Sequence, residues 1–379
     1  MKIKILICII VGLSSACSFK KENVVTPKLS VQNIDNKGGV CKTQEYFTNP
    51  KIVFLETSEE ALIGSSIRKI VLEDDRIFIQ DQHNKTILMF DTTGRFLAGI
   101  YPQGRGAGEY VTLDDFSVDR DRRELVVYAS RPNKLLFYDY NCQLKKEVPI
   151  EKSFFEIAVG SGEIIGITSW EDSKYYLRRY KILQNGVLEE SDITSLPHMN
   201  KTGFFAHGVQ LLKSERVNFS RRNDPSIYSL EGNTIKKRYE IDFGKYNLPK
   251  ELSGANVPVD KFNQEVLVNS YVFSIVNIKE TPKRIFFSIL LPGMCILSKD
   301  ENQLKYYKTF IDSSTNIPLA LTEAVEDFGN NVICFKESMM NLKTKVKFLG
   351  DKVPGWLSEK VSFAKDDSNP VLFFYRSKE

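Results

Sequence analysis

Four short apolar runs between Ile67 and Tyr101 are followed, after a nearly fixed interval, by four more of the same kind. In the first set Ile70 and Leu72 alternate before Glu73-Asp74-Asp75, and Ile77 and Ile79 alternate before Gln82-His83-Asn84-Lys85. Ile87 to Phe90 form a third run before Thr92-Thr93-Gly94, and Phe96 to Tyr101 a fourth. Ile77, Phe90 and Asp91 recur as Leu125, Tyr138 and Asp139, each 48 residues on; Leu72 recurs as Val118 after 46, so one turn differs by two residues. Alternation with a period of two, broken by short polar turns, is the pattern of antiparallel strands joined by hairpins.

A single four-stranded sheet leaves both its faces open to water. Repeating it radially covers each face with a neighbour, and closing the ring covers the last one. The expected fold is therefore all-β: a six-bladed β-propeller of four-stranded antiparallel blades with short helical and loop insertions. A third unit is read over residues 154–194, a fourth over 208–243 and a fifth over 271–311. The sixth combines Leu319 to Phe328, Asn331 to Phe335 and Val371 to Tyr375, with Ile52 to Glu56 returning from the N-terminal side to complete it. That return removes a free sheet edge. Asp260, Phe262, Val266 and Leu267 place a short helix within Pro258 to Ser270. Met339 to Phe363, with Pro354-Gly355-Trp356, reads as a polar loop insertion.

The N-terminus sets the expected address. Lys2 and Lys4 precede an apolar run from Ile5 to Leu13, and Ser14-Ser15-Ala16 precede Cys17. Nine apolar residues are too few to span a bilayer but match the core of a secretory signal. Small residues before a cysteine resemble a lipoprotein cleavage site, with Ser14 where an aliphatic residue is usual. The expected division is a signal peptide over 1–16, a tether over 17–50 lipid-anchored at Cys17, with room for a short docked piece, and the propeller over 51–379. Acyl chains on Cys17 would hold the chain at a membrane. The expected address is an outer-membrane lipoprotein; Lys20-Lys21 stand where some surface-exported lipoproteins carry acids, which leans towards the periplasmic side, with surface facing left open.

The stretch from Glu73 to Tyr140 carries a family resemblance. Gln103-Gly104-Arg105-Gly106-Ala107-Gly108-Glu109-Tyr110, then Leu113, Phe116, Val118 and Asp119, then Val126-Val127-Tyr128 and Leu136-Phe137-Tyr138-Asp139, resemble the six-bladed propeller lipoproteins of Gram-negative bacteria related to NHL-repeat propellers. Asn84-Lys85 and Asn133-Lys134 stand one residue out of register from that family's Asn-His turn, and the later units match only by pattern. The closing Asn369 to Tyr375 is similar to the family's last strand. The resemblance implies a scaffold without one assigned activity, so no catalytic residue is carried over.

Chemical motifs are sparse. The Gly104 to Gly108 loop lacks the Lys-Ser/Thr of a phosphate cradle and leads into a strand rather than a helix N-terminus. Arg105 and Glu109 beside it are candidates for lining a binding site, with pinning of the loop as the plainer role. His83 falls in the first unit while His198 and His207 lie nine residues apart near the fourth, so a three-histidine metal site would need all of them to converge, and structural histidines are the plainer reading. No G-x-S-x-G occurs, and Asp119-x-Asp121 lacks the rest of a calcium loop. Cys41, Cys142, Cys295 and Cys334 form no C-x-x-C pair and read as buried thiols. Adjacent aromatics such as Phe154-Phe155, Tyr306-Tyr307 and Phe373-Phe374 fit strands covered on both faces. Trp170 and Trp356 are candidates for carbohydrate stacking. With 52 basic against 48 acidic residues and no clustered basic face, nucleic acid is not an expected partner.

These readings favour a non-enzymatic binding or scaffolding module of the cell envelope, needing no cofactor or metal and engaging a protein or glycan. The alternative is a hydrolase or lyase with its site at the mouth of the propeller channel.

Overall fold

The computed structural model describes residues 26–379 except 36–37, 102–103, 169–174, 184–186, 192, 194–195, 198–207, 214–215, 254–256, 290 and 328–330. Among them the strands form six antiparallel runs of four, the blades of a β-propeller. Blade 1 holds Ile67–Glu73, Arg76–Asp81, Thr86–Asp91 and Phe96–Ile100. Blade 2 holds Asp115–Asp119, Glu124–Ser130, Asn133–Asp139 and Leu144–Pro149. Blades 3, 4 and 5 begin at the inner strands Phe154–Gly160, Leu211–Lys213 and Ile275–Glu280. In blade 6, Thr322–Glu323 pairs with Val332–Glu337, which pairs with Val371–Arg376, which pairs with Lys51–Phe54. The expected return of the N-terminal strand is present, one residue from its anticipated start. Val325–Asp327 continues the inner strand of blade 6 and pairs in parallel with Ile67–Glu73, so the seam is hydrogen-bonded as well as packed.

Strand alternation divides the core blade by blade. Leu125 and Val127 pack towards blade 1 with Val71, Phe78 and Met89. Their neighbours Val126 and Tyr128 pack towards blade 3 with Phe154, Ile157 and Val159. Adjacent aromatics divide likewise: Tyr306 and Tyr307 fall in different apolar clusters, as do Phe373 and Phe374. Fully burying each such ring contributes about 1.5–3 kcal/mol. The 48-residue repeat also has a local cause. Asp91 and Asp139 both end third strands, and Oδ1 of each accepts two backbone N–H groups of the following turn, at 2.9 and 3.1 Å for Asp91 and 2.9 Å twice for Asp139. Thr93 donates to Asp91 as well, and these bonds hold its carboxyl down at about 2.

Two expectations change. The tether read over 17–50 is docked through most of its described part. Lys28–Gln32 adds in parallel to the outer strands of blades 4 and 5, Gly39–Lys42 adds to blade 5, and Phe47 is buried at 1% exposure. Outer strands offer unpaired backbone groups, and the alternating Leu29, Val31 and Cys41 give this segment an apolar side to cover them. The insertion read as a polar loop is helical. α1 spans Val259–Asn269 as expected, and Met339 to Phe363 forms α2 (Met339–Leu349) and α3 (Gly355–Phe363). Ser338 caps α2 by accepting the Asn341 N–H at 3.3 Å. Met339, Leu342, Val346 and Leu349 recur at helical spacing and pack on blade 6 with Leu357 and Val361 of α3. The many lysines hide that stripe in the sequence.

Antiparallel order puts each second-to-third turn at the same end of the ring as each blade-to-blade crossing. The glycine-rich crossing 101–114, the crossing that holds α1, and the α2–α3 hairpin therefore share one end. Turns at the opposite end include the two-residue links Asp74-Asp75 and Ser161-Gly162. No helix among the described residues is long and apolar enough to cross a membrane.

Candidate functional site: the channel wall and the loop-bearing end

The inner strands place charged side chains around the propeller axis. Lys69, wholly buried, lies 2.8 Å from Asp115 and 3.5 Å from Glu326, both also wholly buried. Its ammonium donates to the Phe116 carbonyl at 2.8 Å. Asp115 Oδ2 accepts the Ile157 N–H at 2.7 Å, and Ser117 Oγ accepts the Val159 N–H at 3.0 Å. Glu156 Oε2 accepts the N–H groups of Gln210 and Leu211 at 2.8 and 2.7 Å, while Arg68 holds its other oxygen at 3.2 Å. Lys279 pairs with Asp327. Each of these bonds crosses from one blade to another. Inner strands of neighbouring blades present backbone groups to each other, and buried groups of that kind need partners. The charged side chains supply them.

Burial pushes Glu326 and Glu156 up, against the pull of Lys69 on the first and Arg68 on the second. Burial pulls Lys69 down, but Asp115 and Glu326 outweigh it and hold the lysine above its usual value. An acid whose folded value is raised costs stability as the pH climbs from its ordinary value towards the raised one. The wild-type protein therefore loses stability through Glu326 as the pH rises above the ordinary carboxylate range. Glu326→Gln removes the titrating group and keeps a polar partner for Ser117, so its stability should fall less over that rise. Urea unfolding from pH 5 to pH 8 checks this; equal slopes in the two proteins would remove Glu326 from the account.

Of the residues singled out in the sequence, Arg105, Glu109 and Trp356 lie on separate parts of the loop-bearing end. Glu109 Oε2 accepts the Gly106 N–H at 2.7 Å, so it pins the glycine loop. Lys134 and Glu147 tie the loop to blade 2, the lysine donating to the Gly106 carbonyl at 3.2 Å and the glutamate accepting the Gly108 N–H at 2.8 Å. Gly108 is left-handed at φ +75°, where a side chain would be strained. Arg105 is exposed and makes no ion pair among the described residues. Trp356 stands half exposed on α3. Cys17, Trp170, His198 and His207 lie outside the described residues; His83 is exposed in a blade 1 turn. Cys41, Cys142, Cys295 and Cys334 are buried and free, and burial pushes the Cys142 thiol up to about 12. No group of three or more metal-ligating side chains occurs among the described residues. Sequence reading missed the channel wall. Its signal was Arg68-Lys69 inside an apolar inner strand, a place where a charge needs a buried partner.

Two clefts flank the seam between blades 6 and 1. One of about 320 Å³ opens at the loop-bearing end beside Leu62, Ile63, Ser65, Lys336, Asp366 and Asp367. The other, about 330 Å³, opens at the opposite end beside Thr48, Lys51, Leu72, Asp74 and Arg376. Exposed apolar side chains gather on the inserted helices: Val259, Leu267 and Val268 on α1, Met340 and Phe348 on α2, and Trp356 and Phe363 on α3.

Residues 27–376 match the family described as a domain of unknown function, DUF4934. The chain belongs to that family. The match begins at the docked strand rather than at residue 51, in keeping with a domain that includes the N-terminal strands. Among solved structures, a protein of Bacteroides fragilis described as a candidate exported protein superposes with a TM-score of 0.71 at 15% identity, covering 94% of this chain and all of its own. A DUF4221 member from Bacteroides vulgatus gives a TM-score of 0.47 at 11% identity, over 88% of this chain and 97% of that one. Virginiamycin B lyase from Staphylococcus aureus gives 0.42 at 13% identity, over 78% and 83%. No curated protein matches the sequence.

Proposed function

We propose that this DUF4934 chain is a non-enzymatic binding scaffold of the bacterial envelope, related to the lipoprotein propellers it resembles, held at the outer membrane by lipid on Cys17 and engaging its ligand through the loop-bearing end. The observation that carries the proposal is a division of labour within the fold. The convergent carboxylates of the channel wall are buried and held by lysine, arginine and backbone N–H groups, whereas the inserted helices at one end expose large apolar side chains. Binding residues concentrate on connections held by a rigid scaffold. The channel-mouth hydrolase or lyase would draw on Glu156 and Glu326, whose acidity burial has weakened. At 4% and 0% exposure these acids are poorly placed to meet a substrate.

Mild crosslinking in membranes, followed by recovery of the tagged protein, tests the reading. A protein or glycan partner is expected with the wild type and lost with Leu267→Ser/Val268→Ser, which alters α1 without touching the core. Cys17→Ala should move the protein out of the membrane fraction. Turnover of an ester, glycoside or lactone that Glu326→Gln abolishes would overturn the scaffold in favour of the enzyme.

A further inference from the structure

The α2–α3 hairpin is apolar on two sides. Its inner side packs on blade 6 through Met339, Leu342, Leu357 and Val361. A surface helix ordinarily turns polar residues outward, and a helix apolar all round is normally covered. Here the outer side carries Met340 at 59%, Phe348 at 88%, Trp356 at 51% and Phe363 at 82% exposure. Both helices bury one side on the same sheet, so their outer sides face away from it together. Trp356 and Phe363 are seven residues apart, two turns of α3, and so lie in one stripe.

Composition selects the occupant. Residues 339–365 contain six lysines against Asp351 and Glu359, with Glu337 just before them and Asp366 and Asp367 just after. Lys343 pairs with Asp366, Lys345 pairs with Glu337, and Lys360 lies over the Phe54 ring. Lys347, Lys352 and Lys365 make no ion pair among the described residues, and Glu359 stands between Trp356 and Phe363 as the one acid of α3. A surface of anionic headgroups over acyl chains complements both features, because lysines meet the charge while Phe and Trp enter the boundary. Reach agrees with this. The nine residues from Cys17 to Thr26 extend at most about 30 Å, so a lipid on Cys17 holds the domain close to a bilayer.

We propose that the α2–α3 hairpin is a membrane-docking element that inserts Phe348, Trp356 and Phe363 at an anionic phospholipid surface and orients the propeller on it. This rests on the reading of the loop-bearing end as the binding end, and it names the ligand of one part of that end. The test uses the chain from Ser18 onward, which keeps every described strand and lacks the lipid. With phosphatidylethanolamine vesicles containing phosphatidylglycerol, flotation should recover the protein, and in a Trp170→Phe background Trp356 emission should shift to the blue. Phe348→Ser/Phe363→Ser should lower vesicle partition about ten-fold or more while leaving thermal unfolding unchanged, since both rings are exposed. Phosphatidylcholine vesicles or high salt should also weaken it. Absence of binding to the anionic vesicles, or binding that ignores the double substitution, overturns the docking element. So does a protein crosslinked to the hairpin in place of lipid. If vesicle binding fails while the α1 substitutions still abolish partner capture, the binding end stands without its membrane contact; if both assays are silent, both readings fall.

Discussion

Lys69→Met is expected to destabilise the protein by about 3–5 kcal/mol, a large part of the roughly 5–15 kcal/mol that holds a domain of this kind together. The substitution keeps the length and apolar stem of the lysine and removes only its charge. Asp115 and Glu326, at 2.8 and 3.5 Å from the ammonium and wholly buried, then have no cation between them. The Phe116 carbonyl loses its donor from blade 1 in the same step. The loss should shrink as the pH falls, because Glu326 is already pushed up by burial and takes a proton more readily once the lysine is gone. Urea unfolding at pH 7 and at pH 5 measures both effects. Combining Lys69→Met with Asp115→Asn and Glu326→Gln should recover most of the stability, since the neutral set no longer carries an unpaired buried charge. A Lys69→Met protein as stable as wild type at pH 7 would falsify the account of the channel wall as a structural ion-pair ring.

The repeat was legible because its causes are local. Asp91 and Asp139 cap the same turn with the same oxygen, and each adjacent pair of strand residues divides between two interfaces, so period and spacing survive sequence divergence. The channel wall was less legible because its partners come from strands far apart in the chain: Lys69 meets residues 46 and 257 positions away. Nothing in Ile67-Arg68-Lys69-Ile70 says which acids will face it. The α2–α3 hairpin was misread for a different reason. Its buried stripe is short and interleaved with lysines, and Phe348 and Phe363 fall outside that stripe, so the two apolar sides blur each other's period. The glycine loop lay between these cases. Its turn conformation followed from Gly104 and Gly108, and the pinning role of Glu109 was one of two readings that only geometry could order.

Phe47→Ala carries the second large effect, about 3–5 kcal/mol. Phe47 precedes the strand Lys51–Phe54 and sits at 1% exposure among rings of blades 5 and 6. Its centroid is 5.4 Å from Phe286, 5.5 Å from Tyr375, 6.3 Å from Phe310 and 6.4 Å from Phe335. Truncation removes these four contacts, along with that to Tyr46, and leaves a cavity whose walls belong to two blades, which limits how far it can collapse. Such ring pairs add about 0.5–1.5 kcal/mol beyond the area they bury. The substitution separates two views of residues 17–50. A tether would make position 47 a surface site, where substitutions change stability by about 0.5 kcal/mol or less. A docked clamp makes it a core site, because the segment that precedes it lies on the outer strands of blades 4 and 5 and delivers Phe47 to the interface between blades 5 and 6. Urea unfolding of Phe47→Ala discriminates between the two magnitudes directly. A chain beginning at Lys51 should unfold at still lower denaturant than Phe47→Ala, since it lacks the ring, Lys28–Gln32 and Gly39–Lys42, and leaves two outer strands open to pairing with other molecules.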